Sequence, residues 1–154
     1  MPVHDPKRRY LIDAIESCLR QTDDNWELCI CDDASKDKNI KKIIEKYRRK
    51  DRRIKAIFSE KNLHISDASN KAASIAQGQY LAFLDHDDML EHNAIEENIK
   101  VIKEYPDADI LYSDEEKISD KGKPISPIFK PAWSPDMLMS VNYVVHMLVI
   151  RKRL

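Results

Sequence analysis

Apolar residues recur along this chain in two rhythms. Leu11, Ile12, Ile15, Cys18 and Leu19 fall three and four residues apart and predict an amphipathic helix over 7–21. Ile40, Ile43, Ile44 and Tyr47 predict a second over 38–49, with Asp37 as its N-cap. A third, over 66–77, is rich in alanine, which permits close packing on a sheet, and Gly78 suits its C-terminus. Ile95, Ile99 and Ile102 mark the inward face of a helix over 91–104, closed by Pro106. Between these lie short continuous apolar runs at 26–31, 54–58, 80–84 and 110–112, with the length and composition of buried strands. Strands alternating with helices predict an α/β fold with a mostly parallel sheet and crossover helices. Past residue 112 the rhythm changes. Asp120-Lys121-Gly122-Lys123 predicts a hairpin turn within 117–126, and 129–135 reads as irregular. One helical turn is expected at 135–139, then an apolar strand over 143–150 holding His146 as a packed histidine.

Composition narrows the chemistry. The 154 residues suit one domain with a real core. Twenty-six basic side chains against 27 acidic argue against a general polyanion binder, nucleic acid included. Only Gly78 and Gly122 are glycine, which excludes a glycine-rich dinucleotide fingerprint and a P-loop. A phosphate site must therefore use a metal, side chains or helix ends. Cys18, Cys29 and Cys31 read as reduced, buried apolar residues, which fits the cytosol. No signal peptide is visible, and no apolar run approaches the roughly 18 residues needed to span a bilayer.

Acids stand at the exits of three strands: Asp32-Asp33 after the run at 26–31, Asp85-His86-Asp87-Asp88 after that at 80–84, and Ser113-Asp114-Glu115-Glu116 after that at 110–112. Parallel strands would gather them on one edge, where open α/β sheets bind ligands. Clustered carboxylates repel unless a cation joins them, and a divalent ion carrying a phosphate ligand is the usual solution. Asp32, Asp33 and Asp88 could also cap following helices. The run from Lys46 to Arg53 ends a helix, where cations suit the dipole, and is also compatible with an anionic membrane surface.

At Asp85-His86-Asp87 the chain resembles a family-2 glycosyltransferase of the GT-A fold. Further segments carry the resemblance: Met1-Pro2-Val3, Ala14 to Thr22, Trp26-Glu27-Leu28, Asp32 to Ser35, Asn62, and Ile65 to Asn70. Tyr112 to Glu115 and Phe129 to Asp136 are similar to a bacterial subgroup that builds surface polysaccharides. The resemblance implies a Rossmann-like donor-binding domain over 1–154, with a nucleotide-binding part to about residue 112 and the start of an acceptor part over 113–154. It implies a nucleoside-diphosphate sugar donor of UDP type and a saccharide or lipid-linked acceptor. Transfer would proceed with inversion, aided by Mn²⁺ or Mg²⁺. The donor set it implies is Pro2, Val3, Asp32, Asp33, Asn62, Asn70, Asp85 and His86. Asp87, with Asp85, would hold the metal. His86 is expected to turn away from its acidic neighbours. Asp114 and Glu115 are candidate acceptor contacts, and Trp133 is expected to pack.

Two departures stand out. The family places a glycine pair after the asparagine at position 62, where this chain has Leu63-His64. The family's first strand would precede Pro2, and its general base would follow Leu154. The reading is therefore of a donor-binding fragment that is inactive alone, cytoplasmic or peripheral at the inner membrane face, and prone to dimerise. Two other classes share parts of the pattern. A phosphoacceptor receiver domain would want its acid pair after the first strand and a lysine after the fifth. An Asp-nucleophile phosphatase would open on its Asp-any-Asp motif.

Overall fold

The computed structural model describes residues 1–120 and 122–153, so Lys121 of the expected turn lies outside the described residues. The chain forms two compact units.

The first unit comprises Met1–Gln79 and Leu84–Asp107. Its sheet is parallel, in the order β1 (Pro2–Val3), β2 (Leu28–Asp32), β3 (Ile54–Phe58). Pro2 faces Cys31, and β2 pairs with β3 from Leu28↔Ile54 to Asp32↔Phe58. The crossovers are α1 (Arg8–Leu19) and α2 (Lys38–Lys50); α3 (His64–Ser74) and α4 (Ala94–Glu104) follow. Leu11 and Ile15 from α1, Ile30 from β2, Ile40 and Ile44 from α2 and Ile54 from β3 meet in one core and are essentially inaccessible to water. Burying each such side chain contributes about 1.5–3 kcal/mol. This is the helical and strand periodicity of the sequence realised as packing.

Asp37 caps α2 as expected, accepting from the Asn39 N–H at 3.0 Å, and Arg48, Arg49 and Lys50 occupy the last turn. Other ends differ. α3 stops at Ser74 with Ile75 at its C-cap, and Gly78 instead donates its N–H to Glu27 at 2.8 Å. Glu27 also receives the Gln77 N–H and, at 2.5 Å, the Lys55 ammonium, so a carboxylate fixes the chain here instead of a glycine turn. Ile95, Ile99 and Ile102 of α4 are only half-buried. None of the three cysteines forms a disulfide; Cys29 is only partly buried, while burial pushes the Cys18 thiol up to about 11.

The second unit comprises Tyr80–Phe83 and the chain from Ala108 onward. Here β4 (Tyr80–Ala82) and β5 (Ile110–Tyr112) flank β8 (Leu148–Arg151), each antiparallel to it. The apolar run at 80–84 predicts a buried strand, yet Ala82 is exposed and Phe83 is 39% exposed. β8 begins at Leu148, which leaves His146 exposed ahead of the strand and not packed within it. β6 (Glu115–Ile118) and β7 (Pro124–Ile128) form the expected hairpin, with Gly122 at φ +71°. Ser134 caps the short α5 (Pro135–Leu138).

Three non-glycine residues of the first unit adopt left-handed backbone: Asp5 (φ 43°), Ala34 (φ 58°) and His64 (φ 62°). Each follows a different strand of the parallel sheet. His64 is exposed, so replacing it removes backbone strain at little cost in packing. His64→Gly is expected to raise stability to urea by about 0.5–1 kcal/mol; a loss of stability would show that the conformation is not imposed by its surroundings. Asp37 gives a pH signature. The Arg8 guanidinium, with help from the Asn39 N–H, holds its carboxyl at about 2, below the ordinary 3.8. A depressed folded value contributes stability that is complete above the unfolded value and lost as pH falls through the folded one. The difference in urea midpoint between the wild type and Asp37→Ala should hold above about pH 5 and shrink between about 4 and 2. A difference unchanged down to pH 2 would refute this assignment.

Candidate functional site

Parallel β1, β2 and β3 send their carboxyl ends to one edge, and three loops leave from it. Side chains knit these loops together. Asp5 in the first donates its N–H to Ser35 Oγ at 3.0 Å, and its carboxylate accepts the N–H groups of Lys36 at 2.7 Å and Asp37 at 3.2 Å. Asp33 in the second accepts the Leu63 N–H of the third at 2.7 Å. His4 Nδ1 donates to the Asp33 carbonyl at 2.7 Å, which leaves Nε2 to accept from the Asn62 amide at 3.1 Å. Asp32 accepts the Ser35 N–H at 3.2 Å. Asp32 and Asp33 are 5% and 3% exposed, so both carboxylates are buried at the mouth of the sheet. Of the two, Asp33 is a brace between loops.

The acid run lies against this edge within the same unit. Leu84 is buried in the core, and the chain then turns at His86–Asp87, with the Asp88 N–H on the Asp85 carbonyl at 3.4 Å. His86 does not stand idle between its neighbours: its Nδ1 lies 3.3 Å from the Pro2 carbonyl and ties the turn to β1. Pro2 thereby borders the acid turn, while Val3 is buried in the core. Asp85 and Asp88 are half-buried and bring carboxylate oxygens within 4.8 Å of each other. Asp87 is exposed and forms no hydrogen bond or ion pair among the described residues. Because the strand ends at Ala82 and a turn follows, side-chain alternation does not govern which acids share a face. Asp88 therefore joins the group and does not cap a helix. The two carboxylates offer oxygen ligands, which suit a hard divalent cation.

The end of α1 holds this turn in place. Ser17 Oγ accepts the Leu90 N–H at 3.1 Å. The Gln21 side chain donates to the Glu91 carbonyl at 2.7 Å and accepts from the Ile95 N–H at 2.9 Å. The Thr22 N–H reaches the His92 carbonyl at 2.9 Å. Ser17 and Gln21 are buried, in a stretch where the sequence signals only a helix end. Their role, like that of His4 and Asp5, carries no local signature beyond a polar residue among apolar ones.

The remaining candidates lie elsewhere. Asn62 is exposed at the end of the third loop, and Asn70 is exposed within α3. In the second unit Asp114 accepts the Lys130 N–H at 2.7 Å, and Glu115 accepts the His146 N–H at 3.0 Å and lies 3.5 Å from the Lys130 ammonium. That side chain is only 4% exposed, so Glu115 pairs with a buried cation while Asp114 holds the Lys130 backbone. Trp133, expected to pack, is 54% exposed. No helix among the described residues is long and apolar enough to cross a membrane.

Known proteins share this pattern. The family Glycosyl transferase family 2 matches residues 1–140. Protein y4gI of Sinorhizobium fredii is 42% identical over 96% of this chain and 16% of its own length. The O-antigen biosynthesis protein RfbC of Myxococcus xanthus is 32% identical over 98% of this chain and 12% of its own. The crystal structure of S. aureus TarS 1–349 in complex with UDP-GlcNAc superposes with a TM-score of 0.77 at 22% identity, covering 98% of this chain and 44% of that one. The chain thus spans less than half the length of each. None of these matches favours a receiver domain or a phosphatase. Carboxylates gathered at the exits of β-strands, on an α/β scaffold shared with TarS, agree with the match over residues 1–140: the chain belongs to glycosyltransferase family 2.

Proposed function

We propose that this chain binds the donor of an inverting glycosyltransferase, a nucleoside-diphosphate sugar of UDP type, for transfer to a polysaccharide or lipid-linked acceptor. The observation that carries this reading is the anchoring of the acid turn beside two buried carboxylates, through His86 on Pro2. UDP-GlcNAc in the TarS complex and the O-antigen role named for RfbC support the donor and acceptor classes.

Asp85 and Asp87, with Asp88 beside them, would hold Mn²⁺ or Mg²⁺. The carboxylate oxygens of Asp85 and Asp88 suit such an ion, and exposed Asp87 leaves a further carboxylate for it. When bound, the ion supplies positive charge for the departing diphosphate. The chain's own contribution is positioning. Asp32 faces the nucleoside end, the Pro2-Val3 backbone lines the base, and the loops braced by Asp33 and Asp5 hold the mouth open. A site ordered before ligand arrives loses less conformational freedom on binding.

Calorimetry with UDP, with and without Mn²⁺, tests the reading. The expected result is UDP binding that strengthens with Mn²⁺, with Asp87→Ala losing that gain by about tenfold or more and His86→Ala, which unties the turn from Pro2 but removes no carboxylate, losing less of it. Equal binding with and without metal, or a gain that survives Asp87→Ala, would refute the metal assignment. Gln21→Ala should also weaken metal-dependent binding, although Gln21 lies behind the turn, because Glu91 and Ile95 lose their partner. Unchanged affinity in that variant would show that the turn is held by other contacts.

A further inference from the structure

The balanced total charge conceals a strong local excess. Between Lys36 and Arg53 stand ten basic and three acidic side chains, in a chain whose net charge is −1. α2 turns Ile40, Ile44 and Tyr47 into the core and presents Lys41, Lys42, Lys46, Arg48, Arg49 and Lys50 to solvent. Its cations are poorly neutralised: Glu45 is taken by Arg48 at 2.9 Å, and Lys38, Lys42 and Arg49 form no ion pair among the described residues.

These cations line a groove. It has a volume of ≈ 1050 Å³, lies between α2 and the outer strand β3, and carries Lys38, Lys42, Lys46 and Arg49 along its wall. Thirteen helical residues give it a length of about 20 Å. One end opens at Asp32, Ser35 and Ser59, on the edge that carries the candidate donor site. Phe58 supplies an apolar strip, with the Lys41 ammonium 4.8 Å from its ring centre.

We propose that this groove binds a linear anionic glycan, one bearing carboxylate or phosphate along its chain. The proposal rests on the polysaccharide reading given above. A flat anionic bilayer is the weaker fit. No large apolar side chain on α2 is exposed for insertion, and a planar surface does not reach into a cleft. A flexible polyanion can lie along the wall, neutralise successive cations and release their counterions.

The test uses the whole chain, with polygalacturonate as the anionic glycan, dextran as its neutral counterpart, and phosphatidylglycerol vesicles. The comparison variant carries Lys42→Gln, Lys46→Gln and Arg49→Gln together. All three sites are exposed on α2, and glutamine preserves helix propensity. The wild type should bind polygalacturonate and not dextran, and affinity should fall about tenfold or more between roughly 50 and 200 mM salt. The triple variant should lose about tenfold at low salt with unchanged circular dichroism. Vesicle binding without polygalacturonate binding would overturn the proposal in favour of a membrane surface. Equal affinity of variant and wild type, or binding of dextran, would also overturn it. UDP binding with Mn²⁺, measured on the same samples, separates the two readings: its absence in the wild type refutes the donor assignment and leaves the glycan result to be judged by itself.

Discussion

One side-chain amide fastens the segment that follows the acid turn. The segment after the acid turn, from Leu90 to Ile95, has no strand partner in the parallel sheet, so its peptide groups must find side chains or water. Gln21 provides both halves of the answer, donating to Glu91 and accepting from Ile95. A carboxylate in its place could not donate, and an ammonium could not accept. With Ser17 on Leu90, this fastens the acid turn to α1, whose apolar face already lies in the core. The turn is thereby as rigid as the helix behind it. Leu84 and the His86 bond to β1 fix its near end.

The edge loops follow a related logic. With only two glycines in the chain, tight loops cannot be shaped by conformational freedom. Carboxylates shape them instead, each accepting backbone N–H groups from a neighbouring loop: Asp5 from Lys36 and Asp37, Asp33 from Leu63. These bonds hold Asp5, Ala34 and His64 in left-handed conformations that such residues adopt reluctantly. Leu63-His64 stand where the resemblance implies a glycine pair, and His64 takes the left-handed backbone that a glycine adopts freely. Here the Asp33 brace on Leu63 supplies what glycine would otherwise make easy.

Where periodicity was long, the sequence was legible. Ile40, Ile44 and Tyr47 defined α2 to within one residue, and β3 and β5 lie where their apolar runs placed them. The acids after β2 and β4 were legible as a candidate site because each group directly follows an apolar run, although β4 lies outside the parallel sheet. What escaped was non-local. Nothing in Tyr80-Leu81-Ala82 says that its partner is Val149-Ile150-Arg151, or that the pairing is antiparallel, because an apolar run reports burial and not company. Gly78 looked like a helix end since the carboxylate that fixes it, Glu27, lies in another element. The turn at His86–Asp87 broke the alternation that set Asp88 apart, and His86 gained a partner 84 residues away.

The strand order of the second unit also bears on how the chain comes to be folded. β1, β2 and β3 draw on residues 2–58, so the parallel sheet can assemble before Leu148–Arg151 is made. β4 has no ladder partner until Leu148–Arg151 emerges. At roughly 5–20 residues per second, that is a wait of about 3–14 s. During it, the strand leading into the acid turn presents unpaired backbone, with Phe83 among its apolar side chains. Tyr80–Phe83 is thus the stretch where a nascent chain has most reason to meet a chaperone or a neighbouring ribosome's product.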